Sequence, residues 1–479
     1  MKRQQLIALI LLAGMISGTF SCSGETNPVE TSGESGTTET TSGAESTSYL
    51  DSLPKEDLSD YTFRVIGQST TERQNFYTEE KDGDVINDAI HKRDNLVSER
   101  LGVVFDFITF LDRMEVATNV RNTVLADEPA YDMAITAMSA GINTMISAGV
   151  LYDLGDIPYL TLDGGLWDKS IHDNMTFDGK QYFTTGVISS QFIQSPVACL
   201  FNKKLTEEYN IGDVYQTVLD GKWTIDLLSK IMKDTSHDLD GNGTMDVNDF
   251  YGFALDGVFG NVLYASAGYN PITVTDGKFS VNLADSQMMT IVDKCAGIFG
   301  DPDVTYHNTK SDGSSLLVFR EGRSLFVTCD MLDVQKFRDM KDDFGIIPTP
   351  KFEESQEHYI TTCTTWLPTG VAVPKNCENV DKIGLVMETM AAVSEEILVP
   401  AVYEVTLNGK VSRDDTSSIM LDLIFESPSY DFITAFDFGG SGSELRKAVL
   451  GWSDNWSSTW AGMKNTVENE INSIAEKTE

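Results

Sequence analysis

The sequence predicts an α/β protein whose strands form mainly parallel sheets. Short apolar segments such as "TFRVIG" (62–67) alternate with amphipathic segments such as "VINDAIHKRDNLVSERLG" (85–102), and Gly102 is a typical helix stop. This alternation is typical of βαβ units. Because ligands of open α/β sheets bind beyond the carboxyl ends of the strands, we expect ligand contacts in the loops at 68–76 and 137–141.

The predicted elements follow one another along the whole chain. In the first helix, Ile86, Ile90, Val97 and Leu101 recur near helical spacing. Thr224 is a suitable N-cap for a helix within 221–234. A second helix is predicted at about 115–126, before Pro129. Further strands are predicted at 103–107, 131–136, 180–186, 195–205, 251–255, 322–329, 344–350 and 370–375.

The chain is strongly acidic. Its 35 Lys and Arg against 73 Asp and Glu give a net charge of −38. Such a surface repels phosphate backbones, so we expect no nucleic-acid partner, whereas cation binding is favoured. With 479 residues the chain is long enough for a large core and two or three domains.

The N-terminal residues predict export. Lys2 and Arg3 precede an apolar run over 6–16, and the end "GTFSC" resembles a bacterial lipoprotein box in which Cys22 is lipidated. Thr19 stands where such boxes usually carry Leu, so plain signal cleavage is the alternative. We expect a signal peptide over 1–22 and a disordered Ser/Thr/Gly/Glu tether over 23–55. No later segment has 18 uninterrupted apolar residues, so no transmembrane helix is expected.

The other cysteines show no metal-binding pattern. They are scattered without CxxC spacing, which argues against zinc. Unpaired core thiols and a single disulfide are both compatible with an exported protein. These residues are Cys199, Cys295, Cys329, Cys363 and Cys377.

The segment "DLDGNGTMDVND" (238–249) predicts a calcium loop. Its spacing matches the D-x-[DN]-x-[DN]-G-x5-E pattern except that the last position is Asp. Gly243 supplies the sharp turn. One loop alone does not form the paired sensor, so we expect Ca²⁺ as a structural cofactor placed away from any ligand site. The expected ligands are Asp238, Asp240, Asn242, Thr244 (through its carbonyl), Asp246 and Asp249.

The order of several segments resembles the extracellular solute-binding lipoproteins of bacterial ABC importers, in the maltose-binding-like family 1. The resemblance covers nearly all of residues 60–440. It is carried by "GDVINDAIHKRDNLVSERLGVVFDF", "YDMAITAMSAGINTMISAGVLYDLGDIPYL", "DGKQYFTTGVIS", "LFNKKLTEEYNIGDVYQTVLDGKWTIDLL", "DLDGNGTMDVNDFYGFAL", "FREGRSLFV", "DFGIIPTPKF" and "GVAVPK". In the calcium segment, Phe250 departs from the usual spacing before "YG".

The resemblance implies a two-lobed periplasmic-binding-protein-like fold (type II), with hinge strands between the lobes. By analogy, lobe 1 would hold 56–185 and 320–365, and lobe 2 would hold 186–319 and 366–479. The protein would be a lipid-anchored monomer at the outer face of the bacterial cytoplasmic membrane. It would capture a solute, most often a sugar or oligosaccharide in this family, and deliver it to the permease subunits.

A sugar cleft needs aromatic platforms together with amide and carboxylate groups. Each candidate could equally be a core residue. Trp452, Trp456 and Trp460 recur every four residues and are expected to pack one helix face against the body. The candidates in the predicted cleft loops are Gln68, Gln74, Asn75, Ser139, Gln194, Tyr264, Tyr269, Asp330 and Trp366.

Two other functions compete with the receptor. A surface glycan-binding lipoprotein without a transport role would share the anchor and the cleft. A secreted glycoside hydrolase would need two carboxylates about 5–10 Å apart across a sugar. Among 73 acidic residues some such pair always exists, so their number does not indicate an enzyme. We expect no enzyme, because the chain has no HExxH, G-x-S-x-G or Walker motif. The histidines are scattered: His91, His172, His237, His307 and His358.

Overall fold

Two separate β-sheets organise residues 55–479 in a computed structural model of the chain. The N-terminal unit, 1–54, is described only from residue 48 and contains one short helix, α1 (Tyr49–Ser52). Cys22, the predicted signal peptide and most of the predicted tether therefore lie outside the described residues. The structure describes residues 48–69, 76–275, 277–308, 312–407, 415–426, 428–453 and 455–478.

The strands of the described residues are numbered in chain order. They are β1 (Thr62–Gln68), β2 (Val104–Phe110), β3 (Met133–Thr136), β4 (Val197–Asn202), β5 (Tyr251–Asp256), β6 (Ile272–Thr275), β7 (Lys278–Val281), β8 (Thr305–Asn308), β9 (Ser324–Asp330), β10 (Phe344–Pro348), β11 (Thr361–Thr362), β12 (Gly370–Ala372) and β13 (Pro428–Ser429).

The α-helices that follow α1 are numbered in the same way. They are α2 (Val85–Leu101), α3 (Arg113–Leu125), α4 (Asn143–Ser147), α5 (Lys169–Asn174), α6 (Ser190–Gln194), α7 (Lys203–Glu208), α8 (Val214–Leu219), α9 (Ile225–Thr235), α10 (Gly260–Ala265), α11 (Ser286–Phe299), α12 (Ser314–Arg320), α13 (Val380–Leu407), α14 (Asp415–Glu426), α15 (Phe432–Phe436), α16 (Ser441–Val449) and α17 (Trp456–Thr478). Short 3₁₀ turns occupy Leu154–Asp156, Gly257–Phe259, Asp333–Phe337 and Phe438–Gly440, and a π-type turn occupies Met138–Ile142.

The first sheet has the strand order β12-β3-β1-β2 and defines the first lobe. Strands β1, β2 and β3 are parallel, and β12 is antiparallel to β3. Local signals fix the elements around it. Asp84 caps α2 by accepting from two backbone N–H groups, and Gly102 ends this helix in the left-handed conformation, as the sequence predicts.

The second sheet has the order β10-β4-β9-β5-β8 and defines the second lobe. Strand β4 is antiparallel to both neighbours, while β9, β5 and β8 are parallel. Buried apolar residues of β4, β9 and β10 form a core with Phe319 and Phe337. The prediction of a two-lobed α/β fold with sheets flanked by helices is confirmed.

The predicted division of the chain between the lobes is wrong for two segments. Strands β9 and β10, assigned to lobe 1 within 320–365, pair with β4 and β5 in the second sheet. Strand β12, assigned to lobe 2, pairs with β3 in the first sheet, and the helix after it, α13, packs against α2. The physical reason is that backbone pairing partners decide sheet membership, and the chain returns to the first lobe only after residue 360.

Other differences are local. Residues 180–186 form isolated bridges instead of the predicted strand, and the β6–β7 hairpin was not among the predicted elements. Trp456 and Trp460 are buried on α17, whereas Trp452 precedes this helix and is 38% exposed. Cys199, Cys295, Cys329, Cys363 and Cys377 are free thiols. No helix in the described ranges has the length and apolar character needed to cross a membrane.

Candidate functional site

The carboxyl ends of strands from both sheets meet along one edge, which we call the cleft edge. Ser139 lies in the turn that follows β3 in the first lobe, and its backbone N–H donates to the Thr365 carbonyl at 3.1 Å. The next residue, Trp366, packs its ring against Phe259, which follows β5 of the second lobe, at 5.6 Å between centroids. The segment around Trp366 therefore touches both lobes where ligands of α/β sheets usually bind.

Among the described residues, two of the stretches of chain that connect the lobes run along this edge. The outgoing crossing segment, 186–196, leads from the first lobe into β4, and the return crossing segment, 361–369, leads back into β12. They are bridged at Pro196 and Cys363, and β11 of the return segment pairs with β13. The Ser195 and Tyr430 hydroxyls lie 3.1 Å apart in this buried region. The crossings thus form one hydrogen-bonded hinge.

Gln194 carries an unsatisfied amide at the end of the outgoing crossing segment. The residue is 1% exposed, and neither its Oε1 nor its Nε2 has a hydrogen-bond partner in the described part of the chain. Its backbone carbonyl accepts from Leu332, just after β9, at 3.1 Å. A buried amide without protein partners costs stability unless a water molecule or a ligand satisfies it.

Asp330 ends strand β9 beside Gln194. It is 3% exposed, and its Oδ1 accepts from the Asp333 N–H at 3.0 Å. This contact fixes the turn after β9. Asp330, Gln194 and Trp366 thus lie on or next to the segments that link the lobes, and their contact with a ligand stays a prediction.

Gln68 and Ser139 lie at the cleft edge of the first lobe, but their side chains are engaged by protein. Gln68 Oε1 accepts from Thr136 Oγ1 and from the Ala137 N–H, both at 3.1 Å. Ser139 Oγ accepts from Arg113 Nη1 at 3.1 Å and donates to the Thr365 carbonyl at 3.2 Å. Burial lowers the pKa of this arginine. Both residues hold the loop that positions Trp366.

Tyr264 and Tyr269, which were predicted to stack on a sugar, instead donate their hydroxyls to carboxylates of the protein. Tyr264 is 1% exposed, and its hydroxyl donates to Asp431 Oδ2 at 3.1 Å, so it is a core residue. Burial, followed by the charge of Asp431, raises the pKa of Tyr264 well above its usual value. Tyr269 donates to Asp285, the N-cap of α11, and so supports that helix. Gln74 and Asn75 lie outside the described residues.

Two residues that contact or flank Trp366, Phe259 and Thr365, were not among the candidates identified from the sequence. Each joins Trp366 to one of the lobes, through a ring contact and through a carbonyl respectively. Neither stands in a motif. The signal that could have found Phe259 is its place directly after a strand, in the turn at Gly257–Phe259.

The predicted calcium loop brings part of its donor set together. Carboxylate oxygens of Asp238, Asp240 and Asp249 lie within 4.8 Å of one another. Hydrogen bonds from backbone N–H groups, that of Gly243 first, lower the pKa of Asp238 and so favour its charged form. Asp246 lies outside this trio, and its Oδ1 accepts from the Asn248 N–H at 2.8 Å. Asn242 Oδ1 accepts from the Thr244 N–H at 2.8 Å.

The loop lies at the opposite edge of the second sheet from the cleft. It immediately precedes β5, whose carboxyl end is at the cleft edge, and Tyr251 at the start of β5 donates its hydroxyl to the Asp246 carbonyl at 3.0 Å. Asp249 is fully buried there and accepts from the N–H groups of Leu239 and Asp246. The loop is therefore at the far end of β5 from the cleft edge, and its binding of calcium stays a prediction.

Several solved structures are similar to the chain in fold at low sequence identity. The chain resembles UspC of M. tuberculosis, with 14% identity over 85% of this chain and 100% of that one and a TM-score of 0.56. It resembles the cyclic α-maltosyl-1,6-maltose binding protein of Arthrobacter globiformis, with 15% identity, 87% and 98% coverage and a TM-score of 0.55.

A third likeness is to the maltose-binding periplasmic protein MalE of Listeria monocytogenes in complex with maltose. It has 14% identity, covers 88% of this chain and 97% of that one, and gives a TM-score of 0.54. No family model matches the chain, and no curated protein matches it by sequence. At these identities the likeness establishes the fold alone, which is the two-lobed α/β fold of these structures.

Proposed function

We propose that this protein is the substrate-binding receptor of an ABC importer and that it captures a sugar or oligosaccharide between its lobes. The observation that carries the proposal is the composition of the cleft edge. The half-buried Trp366 and the unpartnered Gln194 amide lie on the two segments that join the lobes, and these segments meet where the Thr364 N–H donates to the Ser195 carbonyl at 3.0 Å. An apolar ring face and a free amide are the groups that sugar C–H faces and hydroxyls require.

The similar structures support a sugar as the ligand. A cyclo/maltodextrin-binding protein complexed with maltotetraose shares the fold, with a TM-score of 0.55 and 12% identity. The Listeria monocytogenes MalE structure holds maltose. These neighbours are binding proteins, and we infer that this chain also binds its ligand without converting it.

The mechanism follows from the hinge. Ligand enters between the lobes, contacts both, and selects the closed state by binding it more tightly than the open one. Trp366 is suited to this coupling because its segment contacts the first lobe through Thr365 and the second through Phe259. The closed receptor then presents both lobes to the permease.

The test is direct binding of maltose, maltotetraose and a cyclodextrin to the purified protein, by calorimetry and by thermal shift in excess calcium. A ligand that binds only the native state at a hundredfold excess over its Kd adds about 2.7 kcal/mol of stability. We expect saturable binding of at least one of these sugars and its recovery unchanged. Binding of peptides or polyamines but no sugar would contradict the ligand class, and consumption of the sugar would contradict the receptor.

We also propose that Cys22 carries a lipid and holds the protein at the outer face of the membrane. The support is the signal-like sequence that ends in "GTFSC". The test is expression of Cys22→Ala in a Gram-positive host with metabolic palmitate labelling. The wild-type protein should be labelled and membrane-bound, and the variant should be unlabelled and released. Equal labelling of both proteins would contradict the proposal.

Calcium in the loop 238–249 is a further part of the proposal. The donor set fits a hard cation, because Ca²⁺ prefers several carboxylate and carbonyl oxygens in one place. Asp238, Asp240 and Asp249 would hold it, with Asn242, the Thr244 carbonyl and Asp246 completing the set. Its role would be to brace the start of β5. Terbium tests this, since the Tyr251 ring is close enough to sensitise its emission; Asp240→Ala should abolish the signal, and an unchanged signal would contradict the site.

A further inference from the structure

A fully buried arginine, Arg93, lies on α2 behind the cleft edge. It is 0% exposed. Its Nη1 donates to the Ile188 carbonyl at 2.7 Å, its Nη2 donates to the Phe76 carbonyl at 2.8 Å, and its Nε donates to Asp94 Oδ1 at 2.8 Å. The guanidinium also stacks on the Phe76 ring, 4.5 Å from the centroid. A buried cation is tolerated only when its donors are satisfied, and here two acceptors are main-chain carbonyls.

One of these carbonyls belongs to the outgoing crossing segment. Ile188 lies between Gly186, where the segment begins, and α6, which ends at Gln194. Gly186 is itself closely docked, since a Cβ there would overlap the Leu166 carbonyl oxygen. The Val187 N–H donates to that same carbonyl at 3.0 Å. The segment is therefore held at its first residues and leads through a single helical turn to the free amide.

We propose that Arg93 is a positioning residue that sets the place of Gln194 at the cleft edge by holding the Ile188 carbonyl. The proposal rests on the proposed function in one respect, because it gives Gln194 a ligand to contact. The planar guanidinium reaches two carbonyls and a carboxylate at once. A lysine ammonium on a flexible stem cannot reproduce that fork, so Arg93→Lys keeps the charge and loses the placement.

Arg64 provides a matched control. Its Nε and Nη2 donate to the buried Asp132 at 3.1 and 2.8 Å, and like Arg93 it donates to a main-chain carbonyl, that of Pro129, although its side chain is 30% exposed. Asp132 directly precedes β3, so this arginine braces the edge of the first sheet opposite the cleft. Arg64→Lys should therefore disturb stability without disturbing the crossing segment.

The experiment is hydrogen exchange of the ligand-free protein followed by maltotetraose binding. We expect both variants to lower the melting temperature. Arg93→Lys should speed exchange at least tenfold at Val187, Ser189 and Phe192, whose N–H groups are hydrogen-bonded within or beside the segment. Arg64→Lys should leave these amides unchanged and speed exchange near Asp132. Only Arg93→Lys should weaken maltotetraose binding, by about tenfold.

The outcomes separate the two proposals. Unchanged exchange at 187–195 in Arg93→Lys, or equal acceleration there in Arg64→Lys, would overturn the role of Arg93. Failure of the wild-type protein to bind maltotetraose would count against that sugar, and the exchange result would still decide on Arg93. If Arg93→Lys does not fold, Asp94→Asn removes the charged acceptor that orients the guanidinium. It should speed exchange at the same amides a few-fold, and no change would overturn the proposal.

Discussion

Trp366 and Tyr264 are two aromatic residues near the cleft that differ in what their rings can contact. Trp366 is half-buried, whereas Tyr264 is 1% exposed and bonded to Asp431. We predict that Trp366→Ala weakens sugar binding by roughly thirtyfold, about 2 kcal/mol, because a large aromatic contact is lost. Calorimetric titration with whichever of the tested sugars binds the wild-type protein measures this.

The control for that variant is Tyr264→Phe. It removes the donor to a buried carboxylate, so the free energy of unfolding should fall by about 1–3 kcal/mol. The Kd of the folded protein should stay within a factor of two of the wild-type value. Equal losses of affinity in the two variants would show that general destabilisation, and not the Trp366 ring, governs binding.

His307, beside Trp452, predicts a pH dependence of stability. The indole N–H of Trp452 donates to Nδ1 of His307 at 3.2 Å, so this nitrogen carries no proton. Burial lowers the pKa of His307 to about 4, below the value of about 6.5 for an unfolded chain. The neutral form is therefore favoured by folding. Its contribution to stability is present above pH 6.5 and is lost as the pH falls toward 4.

Urea unfolding at pH 7.5 and 4.5 checks this for the wild-type protein and His307→Gln. Glutamine can accept from Trp452 through Oε1 but does not titrate. We expect the wild-type protein to lose roughly 2–3 kcal/mol more than the variant between the two pH values. Because the carboxylates are common to both proteins, the difference isolates His307. Parallel losses would mean that the imidazole titrates normally.

The calcium loop gives a prediction at the scale of an element. It lies before β5, at the opposite edge from Trp366 and Gln194, and Tyr251 connects it to the strand. Removal of calcium by a chelator should lower the melting temperature of the protein. The Kd for sugar, measured well below that temperature, should change less than twofold. A large loss of affinity in protein that is still folded would show that the loop acts on the cleft.

Elements with local signals were predictable from the sequence. The start of α9 at Thr224 and the stop of α2 at Gly102 depend on side-chain and backbone chemistry within a few residues. The β6–β7 hairpin was not predicted although its signal is local: "ITVT" and "KFSV" both alternate apolar and polar residues, and Asp-Gly joins them. The burial of Tyr264 depends on Asp431, which is 167 residues away, and no local pattern contains that contact.

At the scale of the whole molecule, the division of the chain between the lobes could not be predicted either, because it also depends on contacts between residues far apart in the sequence. Strands β9 and β10 look like any buried strand, and their sheet is decided by pairing with β4, more than a hundred residues earlier. The free amide of Gln194 and the arginine behind it also arise only when distant segments meet. The ends of the predicted strands indicate which residues lie near the cleft. They do not indicate which other residues those side chains contact.

The hinge predicts a change of shape on ligand binding. The crossing segments and β13 form a hydrogen-bonded ribbon between two lobes that each have their own sheet, so the lobes can rotate about it. We expect small-angle X-ray scattering to show a monomer whose radius of gyration falls by on the order of 1 Å when saturating sugar is added. Trp366→Ala, which loses the contact shared by both lobes, should show a smaller fall at the same sugar concentration. An unchanged radius in wild-type protein that calorimetry shows to be saturated would mean that the cleft binds sugar without closing.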